Sequence, residues 1–231
     1  MKIHGLQKMT LLDFPGRVAC TVFLGGCDMR CPFCHNAELV DGSAPAVMEE
    51  EELLAFLKKR QGLLEGVAIT GGEPLLRPEI VSLAEKIREL GYPLKLDTNG
   101  THPERLREMI RRGLVAYAAM DIKNSPDRYA ATAGLEKLDL GPVRESAAIL
   151  MAGDTDYEFR TTVVAELHDE DSIRGIGDWI RGARRYYLQK FTDRDTVPFE
   201  GFHAPSDERM RAYADIAREY VPAAELRGIG D

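Results

Sequence analysis

The sequence predicts an α/β fold, an incomplete (β/α)6 TIM-like barrel with parallel strands, on three observations. Short apolar segments alternate with amphipathic helical ones along the chain. The polar and glycine-rich clusters fall directly after the apolar segments, where the strands of such a barrel end. The length, 231 residues, falls short of the about 250 typical of a full eight-unit barrel.

The elements follow in order. Residues 17–24 carry the β-branched Val18, Thr21 and Val22 and predict the first strand. Residues 49–60 open with four glutamates and continue through Leu53, Leu54, Phe56 and Leu57, a helix whose N-terminal acids suit its dipole. Residues 66–70 form an apolar strand running into Gly71-Gly72. Ile80, Leu83, Ile87 and Leu90 recur at helical spacing, and Gly91 marks the stop. Residues 93–96 are the next strand, ending in Asp97-Thr98-Asn99-Gly100. Leu106, Met109 and Ile110 mark a helix closed near Gly113, and residues 114–120 a strand reaching Asp121-Ile122-Lys123. Leu140, Val143, Ala147 and Leu150 give a helix, and residues 157–164 a strand. Ile173, Ile176 and Ile180 give another helix, with Trp179 in its apolar pattern. Residues 185–191, including Tyr186 and Tyr187, form the last predicted strand, and Met210, Tyr213 and Ile216 the last helix. Parallel neighbours need these helical crossovers, which run right-handed. No linker or low-complexity tract interrupts residues 1–231, so a single domain is expected.

An apolar fraction of 44% with 29% charged residues belongs to a globular protein. The formal net charge of −8 offers no basic field for nucleic acid or anionic lipid, so neither is an expected partner. The N-terminus lacks the apolar core of a secretory signal, and no apolar stretch reaches membrane-spanning length, so a cytoplasmic protein is expected. All four cysteines lie between positions 20 and 34, too close together to staple distant parts of a fold. A reducing compartment and a metal site fit that placement better.

Cys27, Cys31 and Cys34 put three thiolates within eight residues of loop, a spacing that wraps three corners of a cubane and leaves one iron open. A structural zinc site completed by His35 or Cys20 is the alternative, although such sites usually use two separated cysteine pairs. Cys20 lies within a predicted strand and reads as a small buried hydrophobe. His102, His168 and His203 fall in loops without a second ligand cluster and receive no role.

The pattern Cys-x-x-x-Cys-x-aromatic-Cys after the first strand, with Gly71-Gly72-Glu73-Pro74 after the next, resembles the radical S-adenosylmethionine (SAM) superfamily. Asp13-x-Pro15-Gly16, the Gly26-Cys27 junction and Cys34-His35-Asn36 resemble the glycyl-radical-enzyme activating proteins within it. The stretch from Gly5 to Val40 is most similar to the activating proteins of anaerobic ribonucleoside-triphosphate reductases. The resemblance implies a 4Fe-4S cluster held by Cys27, Cys31 and Cys34, whose open iron is chelated by SAM. An electron from the reduced cluster would then release a 5′-deoxyadenosyl radical.

For the remaining residues the resemblance implies a shared mouth. Gly71 and Gly72 would let the methionine part of SAM approach, and Glu73 would accept from its ammonium. Asp97, Thr98 and Asn99 would bind ribose hydroxyls or help hold a monovalent cation. Asp121 precedes Lys123, which would neutralise a SAM oxygen, and Arg160 would meet the SAM carboxylate or a structural ion-pair partner. Phe33 would pack beside the adenine, and Asp13 would stand at the mouth where a partner's glycine loop enters. The implied partners are a glycyl-radical enzyme, first of all anaerobic ribonucleotide reductase, and a flavodoxin or ferredoxin as electron donor. A pyruvate formate-lyase-like partner, or a small-molecule pterin or deazapurine precursor as substrate, is the alternative within the superfamily.

Overall fold

The computed structural model describes residues 1–41, 43–194 and 196–230. Its strands are β1 (Lys2–Ile3), β2 (Gly5–Thr10), β3 (Ala19–Leu24), β4 (Met48–Glu49), β5 (Gly66–Gly71), β6 (Leu94–Thr98), β7 (Tyr117–Asp121), β8 (Asp156–Val163), β9 (Tyr186–Lys190) and β10 (Ala224–Arg227). Its α-helices are α1 (Ala37–Val40), α2 (Glu50–Lys59), α3 (Ile80–Glu89), α4 (Pro103–Arg111), α5 (Tyr129–Thr132), α6 (Gly141–Ala152), α7 (Glu170–Trp179) and α8 (Asp207–Arg218). All six strands read from the sequence are present. The chain divides into two compact units: Met1–Asp28, Glu38–Ala119 and Pro142–Asp156 form the first, and Met29–Ala37, Met120–Gly141 and Tyr157–Asp231 the second.

In the first unit β3, β5 and β6 run parallel, with Ala19 opposite Gly66 and Val67 opposite Leu94. The side chains of β3 and β5 are buried on both faces, which explains why each reads as a continuous apolar run rather than an alternating one, and β6 buries Lys95 between Leu94 and Leu96. Leu53 and Leu57 of α2, Ile80, Leu83 and Ile87 of α3, and Leu106 and Met109 of α4 are fully buried, as their helical spacing requires. Helix α2 begins with a capping box in which Glu49 and Glu52 satisfy each other's backbone N–H groups. Among the described residues no helix is long and apolar enough to cross a membrane.

Strand β2 was not predicted, and it changes the position of Asp13. It pairs antiparallel with β3, Gly5 opposite Phe23 and Thr10 opposite Ala19, so the chain returns to the N-terminal end of β3 before turning. Phe14 packs against Ala19 and Tyr117, the first residues of β3 and β7. Asp13 accepts a hydrogen bond from Thr21 Oγ1 at 2.6 Å. The Asp13-Phe14-Pro15-Gly16 turn therefore covers the strands' N-terminal end, opposite the mouth at which the resemblance put Asp13.

In the second unit β8, β9 and β10 are parallel, with Phe159 opposite Tyr186 and Ala224 opposite the same residue across β9. Arg227 on β10 forms a bidentate pair with the fully buried Glu158 (2.7 and 2.8 Å) and lies over the Tyr187 ring. Ile173 and Ile176 of α7 and Met210, Ala214 and Ala217 of α8 are buried. Trp179 at the end of α7 is half-buried and meets Tyr129 edge-on, while Tyr186 is wholly buried and bonded to Thr161.

Candidate active site

In the first unit the C-terminal ends of β3, β5 and β6 come together around Cys27. The backbone of Gly72 donates to Leu24 O (2.9 Å) and that of Glu73 to Gly26 O (2.8 Å). A Cβ on Gly72 would lie 2.1 Å from Gly26 O, and one on Gly71, where φ is +125°, would lie 2.2 Å from Leu24 O. The two glycines are thus required by the close approach of this loop to the cysteine loop, before any ligand is considered. On the other side, Gly26 N donates to Leu39 O and Cys27 N to Val40 O, so the backbone leading into the cysteines is fixed by α1.

Glu73 is fully buried and joins two loops. Its Oε1 accepts from Leu75 N (2.9 Å) and Thr98 Oγ1 (2.9 Å), and its Oε2 from Asn99 N (2.6 Å). Burial pushes its pKa up to about 7, against the lowering effect of these donors. Asn99 in turn donates through Nδ2 to Asp28 Oδ1 (2.7 Å) and towards Cys27 Sγ (3.8 Å), while its Oδ1 accepts from both the backbone and the hydroxyl of Thr101. His102 Nε2 lies 3.2 Å from Asp28 Oδ2. Burial would raise the Asp28 pKa, but hydrogen bonds from His102, Thr101 and Asn99 override it and hold the carboxylate at about 2.

In the second unit Cys31 and Cys34 share one turn, with Cys34 N donating to Cys31 O (3.1 Å). Arg30 N donates to Ala133 O (2.8 Å), an approach that only Gly134 permits, since a Cβ there would lie 1.9 Å from Arg30 O. Burial pushes the Cys31 thiol upward, opposed chiefly by the Lys123 ammonium. Asp121 accepts from Lys123 Nζ (3.0 Å) and Arg160 Nε (2.9 Å). Although burial disfavours its charge, these two cations hold it at about 2. His168 accepts from Val164 N at Nδ1, so its Nε2–H donates to Lys123 O (2.9 Å) and fixes the backbone there. Tyr129 Oη donates to Asp121 O.

Other residues singled out in the sequence have partners within the protein. Asn99 bonds Asp28, Cys27 and Thr101, and Thr98 bonds Glu73. Asp97 pairs with the buried Lys95, whose appearance in a strand gave no obvious sign of an ion pair. Arg160 makes an ion pair with Asp121. Phe33 is buried edge-on to Phe191. Of two residues unassigned from the sequence, His102 faces the Asp28 carboxylate, and Tyr129 donates to the backbone carbonyl of Asp121.

Among the described residues no three His, Cys, Asp or Glu side chains stand arranged to hold a metal ion. The donor set itself separates the two metal readings. Cys20 is fully buried in β3, where burial pushes its thiol up to about 12. His35 stacks on Phe191 and bonds Thr192 O through Nε2 (2.6 Å). Neither completes a tetrahedral zinc site, whereas three thiols suit an iron–sulfur cluster with one iron open to another ligand.

Parallel βα units carrying this cysteine loop and the Gly-Gly-Glu-Pro turn define a SAM-cleaving class. The model for the radical SAM superfamily matches residues 21–164, more than half of the sequence, and the chain belongs to that superfamily. It is a radical SAM enzyme, and membership implies SAM and a 4Fe-4S cluster. A provisionally named glycyl-radical enzyme activating enzyme of Methanocaldococcus jannaschii is 28% identical, over 98% of this chain and 96% of its own. The 7-carboxy-7-deazaguanine synthase of Thermococcus kodakarensis is 30% identical over 88% of this chain and 83% of its own. Among solved structures, a domain of a pyruvate-formate lyase-activating enzyme from Bacteroides vulgatus has a TM-score of 0.58 at 20% identity, covering 71% of this chain and 99% of its own. Streptococcus suis SuiB bound to its precursor peptide SuiA has a TM-score of 0.69 at 14% identity, covering 90% and 48%. At these identities the structures establish the shared α/β fold with mostly parallel strands.

Proposed function

We propose that residues 1–231 act as one catalytic domain that activates a glycyl-radical enzyme, with anaerobic ribonucleotide reductase as the first partner to test. The observation that carries the reading is the similarity to the Methanocaldococcus jannaschii activating enzyme, which extends over nearly the whole of both chains. Cys27, Cys31 and Cys34 would hold the 4Fe-4S cluster, and the chemistry supplied there is one-electron cleavage of the SAM sulfonium to methionine and a 5′-deoxyadenosyl radical. The electron comes from a flavodoxin or ferredoxin. The radical would take one hydrogen atom from a glycine Cα of the partner, giving 5′-deoxyadenosine and the stored glycyl radical.

The protein's own groups orient that chemistry. Glu73 ties the β5 loop to the β6 loop, and Gly71 and Gly72 let the β5 loop close on the backbone before Cys27. Lys123 and Arg160, paired with Asp121, present a cationic group beside Cys31 that suits the SAM carboxylate. Asp97 and Asp121 already have cationic partners, so a monovalent cation is left out of the reading.

The test is anaerobic incubation with SAM, reductant and the reductase, followed by electron paramagnetic resonance. A glycyl doublet is expected, and 5′-deoxyadenosine formed without it would remove the activase assignment. The second reading, a synthase acting on a deazapurine precursor, is favoured by the extensive 30% identity to the Thermococcus kodakarensis synthase. Turnover of such a precursor with no protein partner would select it. In either case Cys31→Ala is expected to abolish SAM cleavage, and near-normal cleavage would count against the cluster assignment.

A further inference from the structure

We propose that Asn99 is a positioning residue for the cluster: its side-chain amide donates an N–H···S hydrogen bond to the Cys27 thiolate and so raises the cluster's reduction potential. The inference rests on the reading of Cys27 as a cluster ligand and assigns a role which that reading leaves open.

The geometry is built from several directions. Asn99 Nδ2 lies 3.8 Å from Cys27 Sγ and 2.7 Å from Asp28 Oδ1, so its two amide protons have two acceptors. Its Oδ1 accepts from Thr101 N (3.0 Å) and Thr101 Oγ1 (2.7 Å), which fixes the amide against rotation by 180°. A flipped amide would set oxygen against the Asp28 carboxylate and nitrogen against the Thr101 N–H. The Asn99 backbone is held by Glu73 Oε2, and the far oxygen of Asp28 faces His102 Nε2 at 3.2 Å. The donor is therefore aimed at sulfur by Thr101, Asp28 and Glu73 together, and is 6% exposed.

The electronic consequence has a definite sign. Reduction adds negative charge to the cluster and its thiolates, and a hydrogen bond to a ligand sulfur stabilises the more electron-rich state. Removing the donor should make the potential more negative. Loss of one charge-assisted bond corresponds to roughly a tenfold change in the reduction equilibrium, which for one electron is about 59 mV.

The test uses reconstituted full-length protein carrying Asn99→Ser, which is too short to reach the sulfur. Iron and acid-labile sulfide content establish whether the cluster is present, and an anaerobic redox titration gives its midpoint. The expected result is a loaded cluster with a midpoint shifted negatively by roughly the tenfold equivalent; a loaded cluster at the parental midpoint overturns the proposal. A measurement on the unsubstituted protein guards against misfolding of the variant. With asparagine 15N-labelled at the side-chain amide, pulsed electron paramagnetic resonance of the reduced cluster should detect a nitrogen coupling. Absence of that coupling overturns the inference alone, whereas an unsubstituted protein that binds no cluster overturns the activating-enzyme reading beneath it.

Discussion

Gly72 and Gly62 separate two reasons for keeping a glycine. Gly62 has φ of +81° with nothing within 4 Å of a built Cβ, so Gly62→Ala carries only the left-handed backbone penalty, about 1–2 kcal/mol. Gly72 has no such φ, but its Cβ would strike Gly26 O at 2.1 Å, and the obstacle is backbone. Gly72→Ala should therefore destabilise by about 1–3 kcal/mol and also disturb the loop that leads into Cys27. Denaturant melts of both variants, with iron content after reconstitution, check this: Gly62→Ala is expected to load iron normally and Gly72→Ala poorly. Equal loading would mean the Gly72 loop relaxes at no cost to the site. His168 offers a pH-dependent case. Burial keeps its folded pKa below the ordinary 6.5, so as the pH falls through that value the unfolded chain takes up a proton more readily than the folded chain. Its contribution is fully present above 6.5 and is lost as the pH falls below that value. Urea midpoints between pH 7.5 and 5.5 should decline more steeply for the parent than for His168→Gln, and parallel slopes would exclude the assignment.

At the scale of elements, an ion pair links β10 to β8 across β9. Glu158 is fully buried, and Arg227 covers it through two hydrogen bonds while keeping about a third of its side chain in water. Removing the arginine strands a buried carboxylate, whereas removing both charges need cost little. Arg227→Met should lower stability by about 3 kcal/mol, and Glu158→Gln combined with Arg227→Met should recover much of it. A double-mutant cycle by chemical denaturation measures this, and additive losses would show that the two residues act separately. The sequence revealed β3, β5 and β7 because each is an apolar run bounded by turn signals, and β8 because its residues alternate. It concealed β2 and β10, whose segments Gly-Leu-Gln-Lys-Met-Thr and Ala-Glu-Leu-Arg lack that run. Missing β2 had a functional cost: its antiparallel course carries Asp13 to the opposite end of β3 from the mouth. Lys95 was hidden for a different reason, since its partner Asp97 looked like part of a binding motif. The cysteine spacing needed no such tertiary knowledge, because three ligands within one loop are a local property of the chain.

For the whole molecule, the question is whether the cluster is needed for folding. In small zinc domains the metal supplies the folding free energy and the apo chain is unfolded. Here the core is provided by helices and strands remote from the cysteines, among them fully buried Leu53, Leu57, Ile69, Leu83, Phe159 and Leu188. The cysteine loop itself already has backbone anchors in Gly26 N to Leu39 O, Cys27 N to Val40 O and Arg30 N to Ala133 O. Cluster removal should therefore leave the far-ultraviolet circular dichroism and the cooperative unfolding transition in place. The midpoint should fall only by the mass-action contribution of the bound group. Hydrogen exchange should accelerate within residues 27–36, while α2, α3, α7 and α8, and the Asn99 backbone N–H bonded to Glu73, keep their protection. Chelator-treated and reconstituted samples compared anaerobically provide the measurement. An apo chain lacking a cooperative transition would mean that the iron–sulfur group organises the fold itself, with the α/β core unable to stand alone.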